Sequence, residues 1–140
     1  EELIGLVYNV YYKDIIYISY LAIDDTKRGA GYGGRILQTI QKKYSDSRIF
    51  LCIEEMDPNA ENYEQRVRRK AFYESNGFKM LPFQVKEGIV MYDAMCVADR
   101  EPEITRKECD ELMKHYFGIW TFVIYVKKYT DKIAGVFGGK

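Results

Sequence analysis

The chain has 140 residues, 47% of them hydrophobic, with 21 basic and 21 acidic side chains that cancel to a net charge of zero. That balance argues against a nucleic-acid binder driven by overall charge, and no apolar run is long enough to span a bilayer. Cys52, Cys96 and Cys109 are odd in number and far apart, which gives no metal-ligand spacing and no disulfide framework and suits a reducing cytoplasm.

The predicted elements begin with two β-rich runs, Leu3 to Tyr12 and Ile15 to Ile23, joined by Lys13-Asp14 and therefore an antiparallel hairpin. Strict alternation in the second run puts Ile15, Tyr17, Ser19, Leu21 and Ile23 on one face and Ile16, Ile18, Tyr20 and Ala22 on the other. Both faces are mostly apolar, which predicts a strand in the middle of a sheet, covered on both sides. A loop from Asp24 to Arg28 leads into the glycines, and Ile36, Leu37, Ile40 and Tyr44 then mark one face of a helix. Arg48 to Glu54 reads as a strand parallel to the Ile15 run across a right-handed crossover. After a loop at Met56 to Ala60, Glu61 to Ser75 is predicted helical, stopped by Asn76-Gly77. Phe78 to Phe83 and Gly88 to Val97 read as two more strands. Thr105 with Glu108 forms a capping box, with Ile104 and Cys109 as its hydrophobic staple, for a helix from Arg106 to Tyr116 that stops at Gly118. Ile119 to Val126 is strongly β-prone. The expectation is one α/β (α+β) domain over residues 1–126, a mixed central sheet with helices on both faces, and a loose tail over 127–140.

The densest chemical signal is Arg28-Gly29-Ala30-Gly31-Tyr32-Gly33-Gly34, between the central strand and the helix after it. Glycines let the backbone turn tightly and bring its N–H groups to a ligand, and the helix N-terminus adds unpaired N–H groups and a positive dipole end. Together these favour a phosphate ligand. Gly29, Gly31 and Gly34 also fit the spacing G-x-G-x-x-G, with Glu54 twenty residues beyond Gly34, the paper form of a dinucleotide fingerprint. Asp24 to Arg28 intervene between strand and glycines, the chain turns to antiparallel pairs after Phe78, and Lys27-Arg28 go unexplained, so that reading is set aside.

Arg28-x-x-Gly31-x-Gly33 instead resembles the Arg/Gln-x-x-Gly-x-Gly/Ala signature of the GNAT superfamily of N-acetyltransferases. Tyr20-Leu21-Ala22-Ile23-Asp24 resembles that family's fourth strand, and Ala71 to Phe78 its last core helix with the Phe-Tyr-x-x-x-Gly-Phe pattern. The likeness covers Leu3 to Val97. It implies a GNAT-like fold in which the elements that normally precede the third strand have no counterpart here, so that cover for the exposed hairpin edge would come from a missing portion, from Ile119 to Val126, or across a homodimer.

The resemblance implies that acetyl-CoA is the co-substrate, with its pyrophosphate on Arg28, Gly29, Ala30, Gly31, Tyr32, Gly33 and Gly34 and its pantetheine arm along Leu21, Ala22 and Ile23. Lys27, Arg28 and Arg35 are candidate counter-charges. Tyr73 matches the helix tyrosine that serves the leaving thiolate. A base is also needed, because a lysine-like amine with a pKa of about 10.4 costs about 4–5 kcal/mol to neutralise at pH 7. Glu54, at the carboxyl end of its strand, is the expected base; relatives often carry a glutamate on the fourth strand, where Tyr17 stands here. Relatives also often carry an asparagine at the place of Arg66, and the basic run there reads as an outer helix face paired with Glu61, Glu64 or Glu74. His115 reads as structural. The implied function is direct acetyl transfer to the amine of a small-molecule or peptide acceptor in a cytoplasmic enzyme without a metal, a nucleic acid or a membrane partner. A non-catalytic acyl-CoA-binding module is the competing reading.

Overall fold

In the computed structural model, residues 2–87 and 89–118 are described; the run from Ile119 to Val126 and the tail lie outside them. Strands β1 (Gly5–Tyr12) and β2 (Ile15–Ile23) form the hairpin, turning at Lys13, whose φ of 53° is left-handed. Helix α1 (Tyr32–Lys43) crosses over to β3 (Arg48–Glu54), which pairs with β2 in parallel. Helix α2 (Tyr63–Ser75) precedes the antiparallel strands β4 (Phe78–Glu87) and β5 (Val90–Val97), and helix α3 spans 106–118. The sheet order is β1-β2-β3-β5-β4, a mixed sheet with one parallel rung set at β2–β3. Strand β4 runs to Glu87 rather than ending at Phe83. The register slips between Met80 and Gln84, around Pro82, and an edge strand tolerates both the slip and the missing N–H.

Two apolar layers cover the sheet. Ile16, Ile18, Ile49, Leu51 and Ile53 pack with Leu37 and Ile40 of α1, and Phe72 and Tyr73 of α2 lie against the same layer. On the opposite face Tyr17, Phe50, Val85 and Ala94 pack with Cys109, Leu112 and Tyr116 of α3. Among the described residues no helix is long and apolar enough to cross a membrane.

Strand β2 departs from strict alternation. Tyr8 pairs with Tyr20 but Asn9 pairs with Ile18, so Ser19 is an extra residue, a β-bulge. An inserted residue shifts the phase by one, and Leu21 joins Ile16 and Ile18 on the α1 side instead of Ile15 and Tyr17. The expected grouping of Leu21 and Ile23 with Tyr17 is corrected accordingly: Ile23 approaches Gly33 of α1.

The predicted capping box forms at α3. Thr105 N donates to Glu108 Oε2 at 2.9 Å, Glu108 N donates to Thr105 Oγ1 at 3.3 Å, and Ile104 and Cys109 are both buried beside it. Glu108 also anchors a charge cluster. Arg48, only 7% exposed, donates to both oxygens of Asp14 at 2.7 and 2.9 Å and to both of Glu108 at 3.1 and 2.7 Å. One guanidinium thereby joins the β1–β2 turn, the start of β3 and α3, a bidentate use that lysine could not match.

Candidate active site

The β2–β3 pairing begins at Ile15 with Arg48 and ends at Ile18 with Leu51. Beyond that rung the strands part. Among the described residues, 19–23 of β2 keep β1 on one side and have no strand on the other, while Cys52 to Glu54 of β3 stay with β5. An unpaired strand edge is a template for an extended ligand.

The glycine segment closes one end of this opening. Asp24 accepts from Thr26 N at 2.9 Å and shapes the turn before it. Gly29 and Gly31 have φ of 80° and 79°, conformations that cost a residue with a Cβ, and nothing lies within 4 Å of where a Cβ would stand. Gly31 is the N-cap of α1. No side chain caps the helix and no acidic residue occupies its first turn, so the amides of Tyr32, Gly33 and Gly34 precede the first helical bond, from Arg35 N to Gly31 O at 3.1 Å. Gly33 and Gly34 have a different task. A Cβ on Gly33 would meet Phe72 Cζ at 3.0 Å and one on Gly34 would meet Asn76 Oδ1 at 3.0 Å, so these two let α1 lie close against α2.

The two features and α2 bound one cleft of about 720 Å³. It is lined by the expected Leu21, Ala22, Ile23, Arg28, Gly29, Gly31, Tyr32, Gly33, Gly34 and Tyr73, and also by Tyr20, Lys27, Arg69 and Phe72. Ala30 is in the same turn but not in the lining. The cations are already engaged: Lys27 with Glu2 at 3.0 Å, Arg28 with Asp25 at 2.8 Å, and Arg35 over the Tyr32 ring at 5.7 Å. Exposed pairs of this kind contribute little and exchange readily for a stronger anion. Tyr73 packs between Phe72 and Phe78, with ring centroids at 5.2 and 5.8 Å. Burial pushes its phenol up, and the Arg69 guanidinium opposes this only in part, so the group stays a proton donor.

Glu54 does not line the cleft. Its oxygens accept from Asn62 Nδ2 at 3.3 Å and from Arg69 Nη1 at 3.2 Å, and Arg66 lies 3.7 Å away. The basic run of α2 is thus divided: Arg68 and Lys70 pair along the helix with Glu64 and Glu74, whereas Arg66 and Arg69 turn to Glu54. Arg69, aligned by that carboxylate one turn before Tyr73, is the cation the sequence pattern undervalued. His115 rests against Tyr12, ring centroids 5.5 Å apart. Among the described residues no group of His, Cys, Asp and Glu is placed to hold a metal ion.

Solved structures share this architecture. A GNAT-family acetyltransferase from Bacteroides thetaiotaomicron is similar at 24% identity and a TM-score of 0.58, over 81% of this chain and 62% of its own. An aminoglycoside 6'-N-acetyltransferase complexed with coenzyme A is similar at 17% identity and a TM-score of 0.52, over 73% of this chain and 70% of its own. A Bacillus subtilis acetyltransferase in complex with CoA matches at 12% identity and a TM-score of 0.50, over 69% and 70%. The chain therefore spans less than two thirds of the Bacteroides protein, and these identities speak to fold. No curated protein sequence matches. The sequence pattern of the GNAT acetyltransferase domain matches residues 1–80, more than half of the chain. With the parted strands, the glycine turn and the helix tyrosine in one cleft, that match places the chain in the GNAT family of acetyltransferases.

Proposed function

We propose that this protein transfers the acetyl group of acetyl-CoA directly to a primary amine while both substrates are bound. The observation that carries this reading is the convergence, in one cleft, of a β2 edge with no strand beside it among the described residues, an uncapped helix N-terminus and the Tyr73 phenol. The open Cβ positions at Gly29 and Gly31 and the missing acid in the first turn of α1 suit a diphosphate on the amides of residues 29–34. Lys27, Arg28 and Arg69 supply positive charge to it. The amides of Leu21, Ala22 and Ile23 suit an amide-bearing arm laid along β2 as an added strand. Acetyl-CoA, when bound, supplies an activated acyl thioester.

The chemistry asks two things of the protein. The new C–N bond forms as the C–S bond breaks, and the sulfur leaves with the electron pair. Tyr73, kept protonated by burial, is the donor for that sulfur. The amine must also lose a proton. Glu54 was expected in that role from its strand-end position, and its two arginine partners equally suit a role in holding Arg69 toward the cleft.

Ligand binding tests the reading first. With acetyl-CoA or CoA at about 100 times its dissociation constant, the protein should gain about 2.7 kcal/mol, a melting shift of about 8 °C, and NAD should give none. Thiol release from acetyl-CoA in the presence of a panel of primary amines should then exceed release without them. A shift with CoA and no amine-dependent release would favour the binding module over the enzyme.

A further inference from the structure

Glu87 ends β4 with its side chain half-buried on the α3 side of the sheet. Its Oε2 accepts a hydrogen bond from Tyr17 Oη at 3.4 Å. Tyr17 belongs to the last but one rung before β2 and β3 part, and it is itself almost fully buried. Its ring stacks on Phe50 at 4.8 Å and meets Tyr116 of α3 edge-on at 5.7 Å, so the hydroxyl that faces Glu87 has little freedom. Among the described residues, the remaining titratable groups that interact with the carboxylate are Cys52 on β3, which is itself pushed up by burial and by Glu87, and Tyr92 on β5, which also feels Glu54. Lys86, Asp110 and Lys114 line a separate depression between β4 and α3.

Among the described residues, no lysine, arginine or histidine pairs with Glu87. Glu54, by contrast, faces two guanidinium groups. A carboxylate half withdrawn from water without a cation beside it is a poorly met charge, and an arriving ammonium meets it. Burial also pushes the Glu87 carboxyl up, so its carboxylate is a better proton acceptor than an exposed one.

We propose that Glu87, oriented by the Tyr17 hydroxyl, is the catalytic base for the acceptor, and that the acceptor is a cationic primary amine arriving from the α3 side of the sheet. The inference rests on the acetyl-transfer reading above. The step is a proton transfer alone: an N–H bond of the ammonium breaks, its electron pair stays on nitrogen, and the proton moves to a Glu87 oxygen and then to solvent. The freed lone pair forms the C–N bond. The C–S bond breaks as that bond forms, and the nitrogen's second proton passes through solvent to the Tyr73 oxygen, replacing the one that Tyr73 gives to sulfur.

The test compares the wild-type chain with Glu87→Gln, which keeps the shape of the side chain. Calorimetry with acetyl-CoA should give dissociation constants within twofold of one another. At pH 7 kcat/KM for a primary amine such as 1,4-diaminobutane should fall about 100-fold in the variant. The variant's rate should rise tenfold per pH unit with the free-amine fraction and approach the wild-type rate near the amine's own pKa of about 10.4. A variant within threefold of wild type at pH 7, with an unchanged pH profile, overturns the assignment. Loss of acetyl-CoA binding by the wild-type chain overturns the acetyl-transfer reading instead. A carboxyl-carbon NMR titration of Glu87 decides the assignment without turnover. A midpoint above the ordinary value of about 4.3, with a signal that moves when 1,4-diaminobutane is added, supports it. An ordinary midpoint and no response to the amine overturns it.

Discussion

Tyr73 acts, on this account, through one atom. Its ring is held by Phe72 and Phe78, and replacing it with phenylalanine leaves that packing intact. Tyr73→Phe should therefore keep acetyl-CoA binding within about twofold and lower kcat by about 100-fold, measured as thiol release at saturating acetyl-CoA. Equal turnover would remove the phenol as the donor. The places of Tyr73 and the turn glycines in the cleft were legible in the sequence: the first through a family resemblance in the motif at the end of a helix, the others through a turn whose φ angles only glycine adopts freely. Gly33 and Gly34 read the same way in the sequence, yet they serve the contact between two helices, which no local pattern announces. Glu87 was illegible for a related reason. Nothing near it in the chain distinguishes it from a solvated strand end, and the tyrosine that hydrogen-bonds it stands 70 residues away.

At the level of elements, the helices were readable where their ends carry side-chain chemistry. The box at Thr105 and Glu108 is as the sequence implies, and it holds the only described helix on the α3 face. Thr105→Ala removes one half of it and should cost about 1 kcal/mol, read as a lower urea midpoint with an unchanged slope. Helix α1 starts within the glycine segment, as its place after the turn implies, although two glycines in its first turn disfavour a helix; the contact with α2 offsets that penalty. The two strands flanking α1 were placed correctly and in the right relative direction, since their apolar runs and the short helix between them admit little else. Their separation past Ile18 has no signature in composition. The residues on either side of that rung are equally β-prone, and the divergence arises from what each strand pairs with on its far side.

The molecule as a whole is fastened at Arg48, and its partners lie 34 and 60 residues away. The Arg48 guanidinium holds the Glu108 carboxyl down at about 2 and lowers that of Asp14 as well. Depressed carboxyl values mean that the unfolded chain binds more protons than the folded one in acid, so the contribution is complete above about pH 4.5 and disappears as the pH falls toward 2. Urea midpoints measured from pH 6 to pH 2 should show that decline. Arg48→Met should lower stability by about 3 kcal/mol at pH 6, because it strands two carboxylates, and should flatten the decline over the same range. A steep decline that survives the substitution would assign the acid sensitivity elsewhere.

Ser19 has a reach out of proportion to its size. Were it taken into the ladder as an ordinary paired residue, β2 would alternate without interruption, and everything between it and the glycine turn would rotate half a turn about the strand axis. Tyr20 and Ala22 would then be presented to α1, and the leucine and isoleucine that now wall the cleft would look toward the other helix. One surplus link in the backbone, chemically inert in itself, thus decides which side chains of β2 meet α1.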